Sequence, residues 1–154
     1  NSIISNVIEN NNESLSLISI IEQFKLNIGN TFLYLHETPV ITKSRYDWVQ
    51  PQYELLTTYY TNKNIYKPGK PKKIQAPYLF RNEYMPPKRF TFIASPIFCS
   101  EENYGLLLCD INVDDYLFYG SIIISQISYA IKLRNMLQEQ KKVQSKLIRE
   151  MHWT

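Results

Sequence analysis

Few residues in this chain have the types and spacing that chemistry requires. Its only cysteines are Cys99 and Cys109, and its only histidines are His36 and His152. Zinc sites need cysteine and histidine ligands at short spacings, and nucleophilic catalysis needs a thiol or hydroxyl beside a base. Neither histidine stands at ligand spacing from a cysteine or from the other histidine. We therefore expect no catalytic residue, no metal site and no cofactor.

Three aspartates form a second group that could be read as a metal cluster. Asp110, Asp114 and Asp115 lie close together in the sequence. Asp114 and Asp115, however, stand where a helix is predicted to begin, and acidic residues there interact favourably with the helix dipole. We expect these two residues to stabilise the start of the helix and not to bind a metal.

Lysines and tyrosines are interleaved in the middle of the chain, a composition that superficially resembles a nucleic-acid surface. The same stretch contains Pro68, Gly69 and Pro71, which is typical of an exposed loop that lysines keep soluble. The net charge is only +3. We expect an exposed connection and no nucleic-acid partner. The residues concerned are Lys63, Lys67, Lys70, Lys72, Lys73, Tyr59, Tyr60, Tyr66, Tyr78 and Tyr84.

The two cysteines fall on a predicted β-hairpin whose turn contains Glu101 and Glu102. Such a turn places Cys99 across from roughly Gly105, so Cys109 lies several residues further along the ladder. A disulfide requires Cα atoms within about 7 Å of each other. We expect two free thiols.

Composition favours one soluble domain. The 154 residues are 44% hydrophobic, enough to bury a core of ordinary size. The longest apolar patch, residues 116–124, is well short of the ~20 residues that a membrane helix needs. No signal peptide opens the sequence. These features predict a cytoplasmic protein without a membrane partner for this segment.

Hydrophobic periodicity predicts an α+β fold with an antiparallel sheet of about five strands. A helix at each end of the chain packs on one face of this sheet, and the C-terminal helix is long. Residues 39–51 and 63–88 are expected to be long connections. The predicted elements are a helix over 14–27, strands over 31–36 and 53–61, a weak strand over 75–79, hairpin strands over 89–97 and 104–109, and a helix from about Asp114.

The C-terminal helix carries the a and d positions of a heptad repeat. Apolar residues alternate spacings of four and three along one stripe, and charged residues cover the remaining surface. The stripe predicts a homodimer through the C-terminal helices, against the alternative of a solvated helix end. Its residues are Tyr129, Leu133, Met136, Gln140, Val143 and Leu147.

The order of elements resembles a GAF domain, with the GAF/PAS-like arrangement that this implies. The resemblance is carried by five short segments that are similar to a GAF-like sensor subfamily. They are Pro77-Tyr78-Leu79-Phe80, the strand-like Arg89-Phe90-Thr91-Phe92-Ile93, Pro96-Ile97-Phe98, the acidic turn leading into Tyr104-Gly105, and the helix residues Tyr116, Gln126, Ile127 and Ala130. These motifs are structural, and they cover about residues 78–137.

The resemblance implies a place in bacterial signal transduction. Domains of this kind usually lie upstream of a GGDEF diguanylate cyclase or a histidine kinase, joined by a helix. It implies a GAF-like sensory domain over residues 1–137 and the start of a coiled-coil linker to an output domain over 138–154. Met151-His152-Trp153-Thr154 looks like the beginning of a GGDEF-type entry segment, which favours the cyclase over the kinase and over other outputs.

The resemblance also implies a ligand pocket between the sheet and the long connections. The candidates are Trp48, Tyr78, Phe80, Arg81 and Tyr84, of which Arg81 would suit an anionic group. The sequence does not indicate which small molecule would bind. Ordinary packing of the aromatic residues and exposure of Arg81 are the alternatives, and they lead to a second hypothesis, a structural dimerisation module without a ligand.

Overall fold

In the part of the chain that the structure describes, six strands form one antiparallel sheet, and a long helix follows the last of them. A computed structural model describes residues 29–61, 64–87 and 91–152. The predicted helix over 14–27 lies outside these ranges. Within them the elements are β1 (Thr31–Ile41), β2 (Tyr53–Thr61), β3 (Asn64–Tyr66), β4 (Lys72–Gln75), β5 (Ile93–Cys99), β6 (Glu102–Cys109) and α1 (Val113–His152), with 3-10 turns at Arg45–Asp47 and Ala76–Tyr78.

The sheet order is β3-β2-β1-β6-β5, and β4 also pairs with β2. Leu56 of β2 pairs with Tyr34 of β1 on one side and with Lys72 of β4 on the other, so β3 and β4 share the outer edge of β2. Between them Pro68 and Pro71 have no N–H group to give to a ladder. β3 and β4 are therefore one edge strand interrupted by a loop.

The expected fold class is confirmed at the level of an α+β protein with an antiparallel sheet and a long C-terminal helix. The interrupted edge strand accounts for six strands where about five were expected. Its two pieces lie within the connection predicted over 63–88, and the weak strand predicted over 75–79 is a 3-10 turn at Ala76–Tyr78. The strand predicted over 53–61 is confirmed.

Strand β1 extends further than its sequence suggests. We expected it to end at His36, but it continues through Pro39 to Ile41. Val40 pairs with Asn103 and Ile41 with Glu102, after an irregularity in the ladder. Pro39 lies within this irregularity, where no ladder hydrogen bond from its backbone nitrogen is needed. The strand continues beyond it because Val40 and Ile41 pair with β6.

The hairpin of β5 and β6 has a tighter turn than expected. Cys99 pairs with Glu102 and not with Gly105, because only Ser100 and Glu101 separate the strands and Ser100 adopts a positive φ of 54°. Cys109 pairs with Ile93 at the other end of the hairpin. Both cysteines are free thiols, and they stand at opposite ends of the ladder.

Helix α1 begins where Asn112 caps it. The Asn112 side-chain oxygen accepts a hydrogen bond from the backbone N–H of Asp114 at 2.8 Å, and its carbonyl oxygen accepts one from Tyr116 at 2.9 Å. The Tyr116 hydroxyl is 2.7 Å from Ser95 Oγ, which connects α1 to β5. Buried side chains then pack this helix on one face of the sheet: Ile123, Ile127, Ala130 and Ile131 of α1 with Leu33, Leu35, Ile97, Leu107 and Cys109.

The opposite face of the sheet is covered by the connection between β4 and β5. We call residues 76–87 together with Thr91 and Phe92 the cover segment. Its Leu79 is 4% exposed, and Tyr84, Met85 and Phe92 pack beside it. They lie on a second buried cluster from the sheet: Phe32, Tyr34, Leu56, Ile74, Leu106 and Leu108. The sheet is therefore the middle layer of three.

No helix in the described ranges is both long enough and apolar enough to cross a membrane.

Gly105 is the one glycine in β6, and the fold requires it. Its φ is +152°, and a Cβ atom added there would lie 1.9 Å from the carbonyl oxygen of Tyr34. We expect Gly105→Ala to destabilise the protein by about 3 kcal/mol or more, because backbone strain and overpacking act together. Gly69→Ala is the matched control, since a Cβ there would meet no atom within 4 Å. Urea unfolding measures both, and equal stability of the two variants would contradict the assigned register.

Candidate functional site

The five residues predicted to line a ligand pocket occupy different environments. Tyr84 of the cover segment is partly buried against the second buried cluster, while Trp48 is half-buried on the connection between β1 and β2. Tyr78 is 58% exposed and Phe80 47% exposed, and Arg81 is also exposed. Of this set, only Tyr84 packs against a buried cluster of the sheet.

Tyr84 belongs to an aromatic cluster that sequence analysis did not identify. Its ring centroid lies 5.4 Å from that of Tyr59, which stacks at 5.0 Å on Tyr66 and at 6.0 Å on Phe32. Phe92 meets Phe32 edge to face at 5.6 Å. These contacts join β1, β2, β3 and the cover segment, so the cluster fixes where the cover segment rests.

Asn82 gives the cover segment its shape. Its side-chain Nδ2 donates to the carbonyl oxygens of Tyr78 at 2.8 Å and Leu79 at 3.1 Å. Its Oδ1 accepts from the backbone N–H of Tyr84 at 3.0 Å. One side chain thus satisfies three backbone groups, which turns Leu79 and Tyr84 toward the sheet.

A polar pair is buried beneath the cover segment. Tyr34 of β1 is fully buried and Glu54 of β2 is 1% exposed. Gln50 donates its Nε2 hydrogen to Glu54 Oε1 at 3.0 Å, but Glu54 Oε2 and the Tyr34 hydroxyl have no hydrogen-bond partner. Buried polar atoms without partners each cost free energy, so this pair lowers the stability of the core.

Burial changes the acidity of both groups. It raises the pKa of Glu54 from 4.5 to about 7, although the hydrogen bond from Gln50 acts in the opposite direction. Burial also raises the pKa of Tyr34, and the Glu54 charge adds to that effect. A carboxyl group that titrates near neutral pH can hold or release a proton under ordinary conditions.

The sequence pattern of β2 could have identified Glu54 as a buried carboxyl group. Strand β2 alternates buried and partly exposed residues, and Glu54, Leu56 and Thr58 occupy its buried positions. A carboxylate in a row of buried positions is a conflict with the pattern, which identifies a candidate site. Tyr34 carried no such signal, because a tyrosine suits a buried strand.

The predicted heptad positions lie on the outer face of α1. Tyr129 is 55% exposed, Met136 59%, Val143 50% and Leu147 53%. Gln140 is exposed and Leu133 is half-buried. From Gln138 to His152 every residue is exposed, so the helix has left the core.

The stripe also begins earlier than the sequence prediction placed it. Ile122 is 43% exposed and stands seven residues before Tyr129, at the same heptad position. We missed it because residues 116–131 are apolar on nearly all sides, which hides which of them face outward. The apolar stripe therefore runs over both the packed half and the free half of α1.

Two further observations concern Cys109 and the possible metal ligands of the described residues. Burial raises the pKa of the Cys109 thiol to about 11, which keeps it protonated at neutral pH. Within residues 29–61, 64–87 and 91–152, no three histidine, cysteine, aspartate or glutamate side chains come together as a metal site would require.

Comparison with known proteins adds no relative. No family model matches the chain, and neither the curated proteins nor the solved structures give a significant match.

Glu54 makes the stability of the fold depend on pH. Its pKa is higher in the folded state than in the unfolded chain, so the folded state holds the extra proton between pH 4.5 and about 7. Stability should therefore fall as pH rises through this window and stay low above it, by at most about 3 kcal/mol. We expect Glu54→Gln, a neutral isostere, to remove this dependence and to be the more stable protein at pH 8.

Urea unfolding at several pH values between 5 and 8 measures the difference between wild type and Glu54→Gln. The exposed Glu101→Gln is the control and should follow the wild-type profile. If Glu54→Gln shows the same pH profile as wild type, Glu54 is ionised in the folded protein at every pH from 5 to 8, and the prediction is wrong.

Proposed function

We propose that the chain is a non-catalytic, cytoplasmic sensory or regulatory domain of a bacterial signalling protein. It forms a dimer through α1 and controls an output domain attached beyond that helix. The resemblance to GAF-like sensors favours a diguanylate cyclase as the output, and a histidine kinase is the alternative. One observation carries the proposal: α1 is a single helix that packs on the sheet through residues between 123 and 131 and ends well outside the core.

The length of α1 supports this role. Its 40 residues correspond to about 60 Å, roughly twice the diameter of a small domain. Residues up to Ile131 include buried core positions, whereas those from Gln138 onward are exposed. A helix that is rigidly held at one end and free at the other can convey a rotation or shift to whatever follows it.

The apolar stripe supports the dimer. An isolated helix end without a partner gains nothing from exposing Met136, Val143 and Leu147 at heptad spacing. In a two-stranded coiled coil these side chains would be buried against the same residues of a second copy. The charged residues on the other faces would remain in water.

Strand β6 offers a route from the cover segment to α1. Leu106 and Leu108 pack under the cover segment, while Leu107 and Cys109 pack under α1. A change that moves the cover segment would therefore act on a strand that α1 also contacts. Tyr84, one of the residues proposed for a small-molecule pocket, packs against the buried cluster at the start of this route.

A structural dimerisation module without a ligand is the second candidate. In this case the apolar stripe of α1 would still form the dimer. The helix would only link the two domains and would transmit no change in conformation. The two functions are separated by the dependence of output on helix phase.

Charges on the stripe should dissociate the dimer. We expect the chain to sediment as a dimer at tens of micromolar and Val143→Asp/Leu147→Asp to sediment as a monomer, because charged side chains are costly in a buried seam. Both positions are about half exposed in the single chain, so its core should stay folded.

The matched control is Gln138→Asp/Ser145→Asp, which adds the same charges at exposed positions away from the stripe. This variant should remain a dimer. A monomeric wild-type chain, or equal dissociation of both double variants, would contradict the seam.

Output should depend on the phase of α1. In the protein that carries the output domain, we expect five residues inserted after Gln140 to change activity strongly, because they rotate the following seam by about 150°. Duplicating the heptad of residues 136–142 restores the phase and should largely preserve activity, although it lengthens the helix more. Activity assays of both insertions at matched protein levels test this. Equal activities would favour the dimerisation module without a ligand.

A further inference from the structure

A cleft of about 360 Å³ opens at the end of the sheet where β1 runs beyond the irregularity in its pairing. It lies away from the cover segment and from the apolar stripe of α1. A volume of this size suits a small ligand. Its walls combine apolar side chains with a few polar ones: His36, Glu37, Thr38, Val40, Pro51, Tyr53 and Leu55.

His36 is held in this cleft by a buried asparagine. Asn103 is 1% exposed, and its Nδ2 donates to the carbonyl oxygens of Ile97 at 3.1 Å and Gly105 at 3.2 Å. Both amide hydrogens are thus used, which leaves Oδ1 as an acceptor. This oxygen is 2.7 Å from His36 Nε2.

The asparagine therefore decides which nitrogen of His36 carries the proton. Nε2 must be the N–H donor to Asn103 Oδ1, so neutral His36 has a lone pair on Nδ1. No described residue forms a hydrogen bond with Nδ1. The cleft thus contains a fixed hydrogen-bond acceptor, and the carboxylate of the neighbouring Glu37 is a second one.

Tyr53 already has an ammonium group on its ring. Lys73 Nζ lies 4.1 Å from the ring centroid, a cation–π distance. Lys73 pairs across from Leu55, so it stands beside the cleft wall. The protein thus places one of its own amines against the aromatic side chain of the cleft.

We propose that this cleft binds a small primary amine in its ammonium form. The ammonium N–H groups donate to His36 Nδ1 and to the Glu37 carboxylate, and the ring of Tyr53 contributes cation–π attraction. Val40, Pro51 and Leu55 enclose the alkyl chain. An anionic ligand would be attracted by Lys73 alone and would meet Glu37 and an acceptor nitrogen, so it is disfavoured.

Lys73 competes with the ligand in this arrangement, because both ammonium groups are attracted to Tyr53 and repel each other. Removing the lysine amine should tighten binding, whereas removing the Glu37 charge should weaken it. The inference concerns a binding site alone, and it holds whether or not the chain regulates an output domain.

The experiment is an NMR titration of the 154-residue chain, labelled with ¹⁵N, with n-butylammonium chloride. Concentrations reach about 20 mM, because a ligand of this size is expected to bind in the millimolar range. Backbone signals of the cleft residues should shift and saturate. Sodium butyrate and sodium chloride at equal ionic strength should not produce this response.

Substitutions of the charged residues should change the affinity in opposite directions. We expect Glu37→Gln to weaken n-butylammonium binding by about fivefold or more and Lys73→Met to tighten it by about twofold or more, consistent with charged contacts at a partly exposed site. His36→Phe should abolish saturation. Glu139→Gln, on the exposed part of α1, removes the same charge far from the cleft and should leave binding unchanged.

The proposal is overturned if no cleft signal saturates, if butyrate produces the same shifts, or if Lys73→Met binds the amine more weakly than wild type. If His36→Phe does not fold, the opposite effects of Glu37→Gln and Lys73→Met still decide the matter, because both residues lie at partly or fully exposed positions.

Discussion

The pairing of β1 with β6 is the interaction on which the other layers depend. These two strands occupy the centre of the sheet, and each gives side chains to both faces. Leu33 and Leu107 form part of the base for α1, while Tyr34 and Leu106 lie under the cover segment. The close backbone approach at Gly105 sets the register of this pair. One ladder therefore positions both faces of the protein.

Sequence reasoning succeeded where local pattern and tertiary environment agree. The alternation of β2 predicted a strand and the long apolar run of α1 predicted a helix, because each pattern persists over many residues. It failed where pairing overrode local composition. β1 passes through Pro39 because β6 continues beside it, and the lysine-rich connection contains β3 and β4 because the edge of β2 was free to pair.

The candidate site was predicted less well than the fold, because its important residues are defined by three-dimensional environment. Glu54 stood out only through its place in an alternating strand, and Tyr34 did not stand out at all. Asn103 was predicted to be part of the turn, where asparagine is ordinary. The structure instead places it in β6, buries it and uses every hydrogen-bonding group of its side chain. Arg81, by contrast, was selected for its charge and lies exposed.

The broken edge strand beside β2 has a consequence for how the protein behaves when concentrated. An uninterrupted edge would present a continuous row of free N–H and C=O groups, on which a neighbouring molecule could add a strand and start an aggregate. Pro68 and Pro71 interrupt that row, and the lysines around them add like charges that repel a second edge. This side of the sheet is thereby protected from growing into fibrils.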